Sequence, residues 1–256
     1  MKVIVLCNQK GGVGKTTTAQ VLAIGLANYG NRVLAIDCDS QCNLSSVFGL
    51  MSEKKTKGTL LDVMQQNMSI SDCVASVRIG LDVLPCNPKL TDADKMFTDL
   101  EDVMILNDEL EKVKDKYDYV VIDTPPAVNI LTTSALMTSD FLLVPMTPDI
   151  FSIQGFNLLE KKIATLKRMG SNIEILGILL TRCDRTSLTS ALKESISGIA
   201  KEMGTTLFNS TIRQGVAIRE SQLLQSDIFT ESPRATVTQD YTAFINECLE
   251  RMNDRK

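Results

Sequence analysis

The stretch Asn8-Gln9-Lys10-Gly11-Gly12-Val13-Gly14-Lys15-Thr16-Thr17-Thr18 decides how the rest of the chain is read. Before it, Val3 to Cys7 is an unbroken apolar run that reads as a strand, and after it Thr16 to Tyr29 carries a helical pattern. Glycines at 11, 12 and 14 let the backbone turn its N–H groups toward phosphate oxygens. The helix that follows aims its positive end at the same place. Lys15 stands where a phosphate-loop lysine meets the β and γ phosphates, and the Thr16 hydroxyl is placed to ligate Mg²⁺. A glycine-rich turn that binds nothing requires neither the strand before, nor the helix after, nor the lysine between. The generic pattern leaves Lys10 without a task.

Working outward, apolar β-branched runs alternate with helical patterns almost end to end. Further strands are expected at Arg32 to Ile36, Leu81 to Pro85, Tyr119 to Ile122, Phe141 to Val144 and Ile175 to Leu180. Helical patterns lie at Met104 to Lys114, Ile153 to Met169 and Leu188 to Met203. Strand runs that are apolar throughout point to a parallel sheet buried on both faces. The expectation is a doubly wound α/β fold, mostly parallel, with helices on both faces and ligands at the carboxyl ends of the strands. No repeat, low-complexity tract or linker interrupts it, so residues 1–256 are expected to form one domain.

The composition is that of a soluble globular chain, 44% hydrophobic, with no apolar run approaching a membrane span. The strand pattern begins at once, so no signal peptide is expected. Seven cysteines without a secretion signal read as reduced, cytoplasmic thiols. Cys38 and Cys42 have no histidine anywhere to complete a mixed metal site and are expected to be buried small side chains. The net charge is −4, but the ten acids and four lysines of Asp92 to Asp118 account for −6, leaving +2 elsewhere. A basic face is therefore compatible with an acidic average. The C-terminal stretch puts Tyr241, Phe244, Ile245, Cys248, Leu249 and Met252 on one helical face. A membrane-surface helix needs a basic polar face, whereas here Glu247, Glu250 and Asp254 oppose Arg251 and Arg255. That helix is expected to dock on the core.

Lys10 gains a role once a resemblance is considered. Gln9 replaces the first glycine of the generic loop, and Lys10-Gly11-Gly12-Val13-Gly14-Lys15-Thr16-Thr17 resembles the deviant phosphate loop of the ParA/MinD superfamily. The preceding glutamine is similar to the ParA and Soj branch, glycine being usual in the MinD branch. In that family the first lysine crosses a dimer interface to the phosphates held by the other subunit. The resemblance thus implies that Lys10 and Lys15 are catalytic and that residues 10–17 bind ATP.

Three more blocks agree. Val33 to Asn43 is similar to the family's switch I, usually ending D-x-D-P-Q-G-N; here Ser40 and Cys42 replace the proline and the glycine. Two carboxylates at a strand end suit Mg²⁺ and an attacking water. By resemblance Asp39 positions that water and Asp37 supports the metal shell. Tyr119 to Pro126 resembles a Walker B strand with Asp123 on Mg²⁺, and the proline pair fixes the switch II loop. Phe141 to Leu159, including Val144-Pro145 and Phe151 to Gly155, resembles the segment that shapes the dimer interface. Adenine contacts are implied at Arg182 and Arg213.

The resemblance implies a partition ATPase of the cytoplasm, associated with the nucleoid, that segregates a plasmid, an integrative element or a chromosome. It implies a homodimer with Mg·ATP, a ParB-type centromere-binding partner, no membrane, and DNA bound without sequence preference. The family's DNA-binding arginines map near Arg185 and onto a stretch where Ala217 takes the arginine's place, leaving Arg219 or Arg213 for that task. A MinD-like positioning ATPase would need a basic amphipathic C-terminus. A nitrogenase-iron-protein-like reductase would need a cysteine between Pro125 and Asp140, where none stands. A nucleotide-dependent dimer switch that does not hydrolyse remains the alternative, given the altered switch I.

Overall fold

Eight strands form one sheet in the order β3-β4-β2-β5-β1-β6-β7-β8. They are β1 Lys2–Leu6, β2 Val33–Asp37, β3 Ala75–Arg78, β4 Leu81–Leu84, β5 Tyr119–Asp123, β6 Phe141–Met146, β7 Glu174–Cys183 and β8 Leu207–Arg213. The computed structural model describes residues 1–52, 55–184, 187–202 and 204–254. Every pairing is parallel except that of β3 with β4. The doubly wound α/β fold expected from the apolar runs is the fold observed.

All five residues of β2 and all six of β6 are buried. Successive side chains of a strand point to opposite faces, and the two faces feed two cores. Val3, Val5, Leu34, Ile36, Val120 and Ile122 pack into one, with helices Leu60–Met64, Ile105–Glu111 and Ile130–Thr138. Ile4, Leu6, Val33, Ala35 and Val121 pack into the other, against helices Lys15–Asn28 and Thr236–Asp254. A run apolar at every position is what a strand covered on both faces requires.

The C-terminal helix docks as expected. Tyr241, Phe244, Ile245, Cys248 and Met252 are buried, Leu249 packs against the same core, and Phe208 meets Phe244 edge to face at 5.0 Å. All seven cysteines are buried free thiols.

The two edge strands, β3 and β8, were not expected from sequence. β8 alternates, and its centre is Asn209-Ser210-Thr211, so no apolar run marks it. An edge strand leaves backbone groups unpaired and open to another chain. Here the Glu247 carboxylate accepts from the N–H groups of Asn209 and Ser210 at 2.8 and 2.9 Å. Arg251 donates to the carbonyls of Leu207 and Leu176 at 2.6 and 3.1 Å. One ion pair on the C-terminal helix therefore satisfies three backbone groups of β8, those of Leu207, Asn209 and Ser210.

Candidate functional site

β1, β5 and β2 are neighbours, and the loops at their carboxyl ends build the site. Gly12 and Gly14 have φ of 75° and 83°, a left-handed conformation that costs a side chain roughly 1–2 kcal/mol. The loop is held from below. Asn8, buried, donates to the carbonyl of Pro145 at 2.7 Å and accepts from the Lys10 N–H at 3.0 Å. Thr181 donates to the carbonyl of Val13 at 2.8 Å.

Gly14 caps helix Lys15–Asn28 with no side-chain hydrogen bond, and no acidic residue stands in its first turn. The first N–H groups of a helix have no partner within it, so this positive end is open to an anion. Lys15 is only 7% exposed, and its Nζ lies 3.4 Å from the carbonyl of Lys10. Burial lowers its pKa, against the opposing pull of Asp123, Cys7 and Asp39. The loop thus holds an ammonium group out of water with one long contact.

Two carboxylates, Asp123 and Asp39, act on this ammonium, and a third, Asp37, stands beside Asp123. Asp37 and Asp123 are partners in the register of β2 and β5, so their side chains end the two strands side by side. Asp123 is wholly buried, and neither carboxylate oxygen accepts a hydrogen bond of normal geometry. Burial pushes its pKa well above the usual range and Asp37 adds to this, while Thr16 and Lys15 oppose it. Asp37, equally buried, accepts from the Asp39 N–H at 3.1 Å and twice from Ser45, at 2.8 and 2.7 Å. Burial raises it to about 6 despite those three donors. Asp39 accepts from the Gln41 N–H at 3.0 Å, and its carbonyl takes the Cys42 N–H at 2.7 Å, closing a tight turn. Cys42 has φ of 53°, the conformation that glycine favours, so a cysteine fills the glycine's backbone role.

A buried carboxylate without a hydrogen bond of normal geometry, beside the Thr16 hydroxyl at the mouth of a phosphate loop, suits a hard divalent cation bound to oxygen. Thr16 and Asp123 would hold it, with Asp37 behind.

Lys10 stands apart from the phosphate loop's interior. Its Nζ is 2.5 Å from Asp149 and 3.3 Å from Thr147, in the segment after β6. A cleft of about 180 Å³ continues from Gly14 and Thr17 across the carboxyl ends of β7 and β8. Arg182 lines it with φ of 55°, and its guanidinium passes about 3.8 Å from where a Gly12 side chain would begin. Arg213 does not line it: its guanidinium is bound to Asp240 at 2.8 and 2.5 Å. Gln214, Arg219 and Gln222 do. Arg219, expected on a DNA-facing surface, is thereby placed at the wall of the cleft. Arg185 lies outside the described residues, as do the side chains of Phe151 to Gly155 in the block expected to shape a dimer interface. Gln214, Gln222 and Ser45 were missed from sequence. An unrecognised β8 hid the first two, and a polar side chain in a short helix gave no signal for the third.

The fold and loop define a phosphate-loop nucleotide-binding protein. A protein-family profile described as an AAA domain matches residues 1–175. The chain is 30% identical over 262 residues to the chromosome partitioning protein ParA of Caulobacter vibrioides, covering 100% of this chain and 97% of that one. It is 30% identical over 250 residues to the sporulation initiation inhibitor protein Soj of Bacillus subtilis, covering 96% and 97%. It belongs to the ParA/MinD family of partition ATPases. A putative plasmid partition protein from Borrelia burgdorferi bound to AMPPNP is 26% identical, with a TM-score of 0.79 over 100% of this chain and 99% of that one. Among the described residues, no helix is long and apolar enough to cross a membrane.

Proposed function

We propose that this chain is a Mg²⁺-dependent ATPase of DNA partition, working as one domain over residues 1–256. Residues 10–17 wrap the phosphates of ATP, Lys15 meets the β and γ oxygens, and the base enters the cleft beside Arg182. Arg213 would have to leave Asp240 to contact the nucleotide or DNA, so it is not carried further. Thr16 and Asp123 would hold Mg²⁺, which when bound would supply charge neutralisation at the phosphates. Asp39 orients the attacking water from the turn that Cys42 closes. With ATP bound, two copies dimerise and each Lys10 crosses to the other's phosphates. The dimer binds DNA without sequence preference, at the nucleoid in the cytoplasm, and a ParB-type partner stimulates hydrolysis.

The observation that carries this function is the Asp123 carboxylate, wholly buried without a hydrogen bond of normal geometry and influenced by Thr16 and Lys15. Phosphate release with Mg·ATP, measured with and without DNA, tests it. Turnover that requires Mg²⁺ is expected, and its absence under every condition leaves only the non-hydrolysing switch.

Asp39→Ala is expected to retain ATP binding and the dimer while turnover falls at least about 100-fold. Orienting a water acts in the transition state more than in the ground state. Size exclusion with ATP beside phosphate release gives the answer, and turnover at the parental rate would transfer the role to Asp37.

The DNA surface is tested through salt. Each phosphate contacted adds about −0.9 to the slope of log affinity against log salt on duplex DNA. Arg185→Ala and Arg219→Ala are each expected to weaken binding to all sequences alike and to flatten that slope by about one phosphate. Because Arg219 lines the cleft, the titrations are run at saturating ATP, with nucleotide affinity measured alongside. A dimer that ignores DNA at low salt defeats the partition function.

A further inference from the structure

The three carboxylates of the site are held in different ways. Asp123 has only the Thr16 hydroxyl close by, outside normal hydrogen-bond geometry, and Asp39 is held by its own turn. Asp37 is held chiefly by one residue outside the strands, Ser45, in helix Asn43–Val47. Ser45 is wholly buried and uses its polar groups in two directions. Its N–H and hydroxyl both donate to one oxygen of Asp37, at 2.8 and 2.7 Å, and its hydroxyl oxygen accepts from the N–H of Cys86 at 2.9 Å. Cys86 lies just beyond β4, on the far side of β2 from Asp123.

The hydroxyl therefore joins the ends of β4 and β2 through the switch segment. The other Asp37 oxygen takes only the Asp39 N–H, at 3.1 Å. The Ser45 donors thus turn Asp37 so that one oxygen faces the short helix and the other faces the peptide carrying Asp39. A carboxylate between two strand ends has several rotamers open to it, and a buried donor pair selects one.

We propose that Ser45 is a positioning residue for the cation site, fixing the Asp37 carboxylate and, through it, the start of the turn that bears Asp39. The proposal rests on the Mg·nucleotide site proposed above and adds a residue to it. Partners that orient the groups around a bound metal typically change its affinity 10- to 100-fold when removed. A purely structural serine would lower thermal stability without changing how nucleotide binding depends on Mg²⁺.

The test is a Mg²⁺ titration of the binding of N-methylanthraniloyl-ATP by fluorescence, on the full chain, with a parallel measurement in EDTA. Ser45→Ala is expected to raise the Mg²⁺ midpoint by about 10- to 100-fold while affinity in EDTA stays unchanged. Ser45→Thr, which keeps the hydroxyl, is expected to restore most of the shift. Should the alanine variant not fold, Ser45→Cys fills nearly the same volume with a weaker donor and shifts the midpoint in the same direction. An unchanged midpoint in the folded variants overturns the proposal, as does a loss of EDTA affinity by the same factor. Parental protein whose nucleotide binding ignores Mg²⁺ overturns the Mg·nucleotide site, and this role for Ser45 falls with it.

Discussion

Lys15→Ala is expected to abolish tight nucleotide binding, whereas Lys10→Ala is expected to leave the monomer's affinity near the parental value and to remove the proposed ATP-dependent dimer. The two lysines differ in their surroundings. Lys15 is buried at the foot of the phosphate loop, its charge opposed by desolvation and met by one carbonyl at 3.4 Å. Such a group gains most when phosphates arrive. Removing one partner of a buried charge pair costs about 2–5 kcal/mol, or about 30- to several-thousand-fold in Kd. Lys10 is half-exposed and paired with Asp149 and Thr147, so in one copy it adds little to phosphate binding. In the proposed dimer its gain would come on exchanging one carboxylate for the phosphate oxygens of a second copy. A cation supplied across an interface to a transferring phosphoryl group contributes about 10³- to 10⁵-fold to turnover, and a loss in that range is expected for Lys10→Ala. Isothermal titration measures the first effect, and size exclusion with phosphate release the second. A Lys10→Ala protein that still forms the full dimer with ATP removes the crossing role.

The contrast between these lysines was partly visible in the sequence. Strand, glycines, Lys15 and Thr16 follow one another with the spacing a phosphate loop needs, and the central strands announce themselves because burial on both faces leaves only apolar residues. Edge strands carry no such constraint. β8 keeps Asn209 and Ser210 at its centre because Glu247, 38 and 37 residues away, satisfies their N–H groups. Without β8 the cleft wall of Gln214, Arg219 and Gln222 has no address. Arg213 shows the same limit from the other side: its charge is legible, but its pairing with Asp240, 27 residues on, is not. Ser45 reaches Cys86 across 41 residues. Local pattern carries the loop and the fold, whereas long-range polar pairing decides which side chains are committed elsewhere.

That division explains why the site is expected to be less stable empty than altered. Asp123→Asn removes a carboxylate whose two buried oxygens accept no hydrogen bond of normal geometry. A buried polar group without a partner costs about 1–3 kcal/mol, more when charged. The pKa of Asp123 is raised in the folded state, so the folded chain holds its proton more tightly than the unfolded chain does. The associated stability is full below the ordinary carboxyl range and is lost as pH rises through the raised value. Asp37, raised to about 6, acts in the same direction. In EDTA the parental protein is therefore expected to lose melting temperature from about pH 4 upward through pH 6 and beyond, and Asp123→Asn to lose less. At neutral pH the variant is expected to melt about 5 °C higher, since about 1 kcal/mol shifts a chain of this size by roughly 2–4 °C. Saturating Mg·ATP reverses the order. A ligand at 100 times its Kd adds about 2.7 kcal/mol to the protein that binds it, and Asp123→Asn has lost the carboxylate that would hold the cation. Thermal melts with EDTA and with Mg·ATP, at pH 5 and pH 7.5, test both halves. A variant less stable than its parent in EDTA at pH 7.5 would show that the Asp123 carboxylate has a partner in the empty protein and does not wait for a cation.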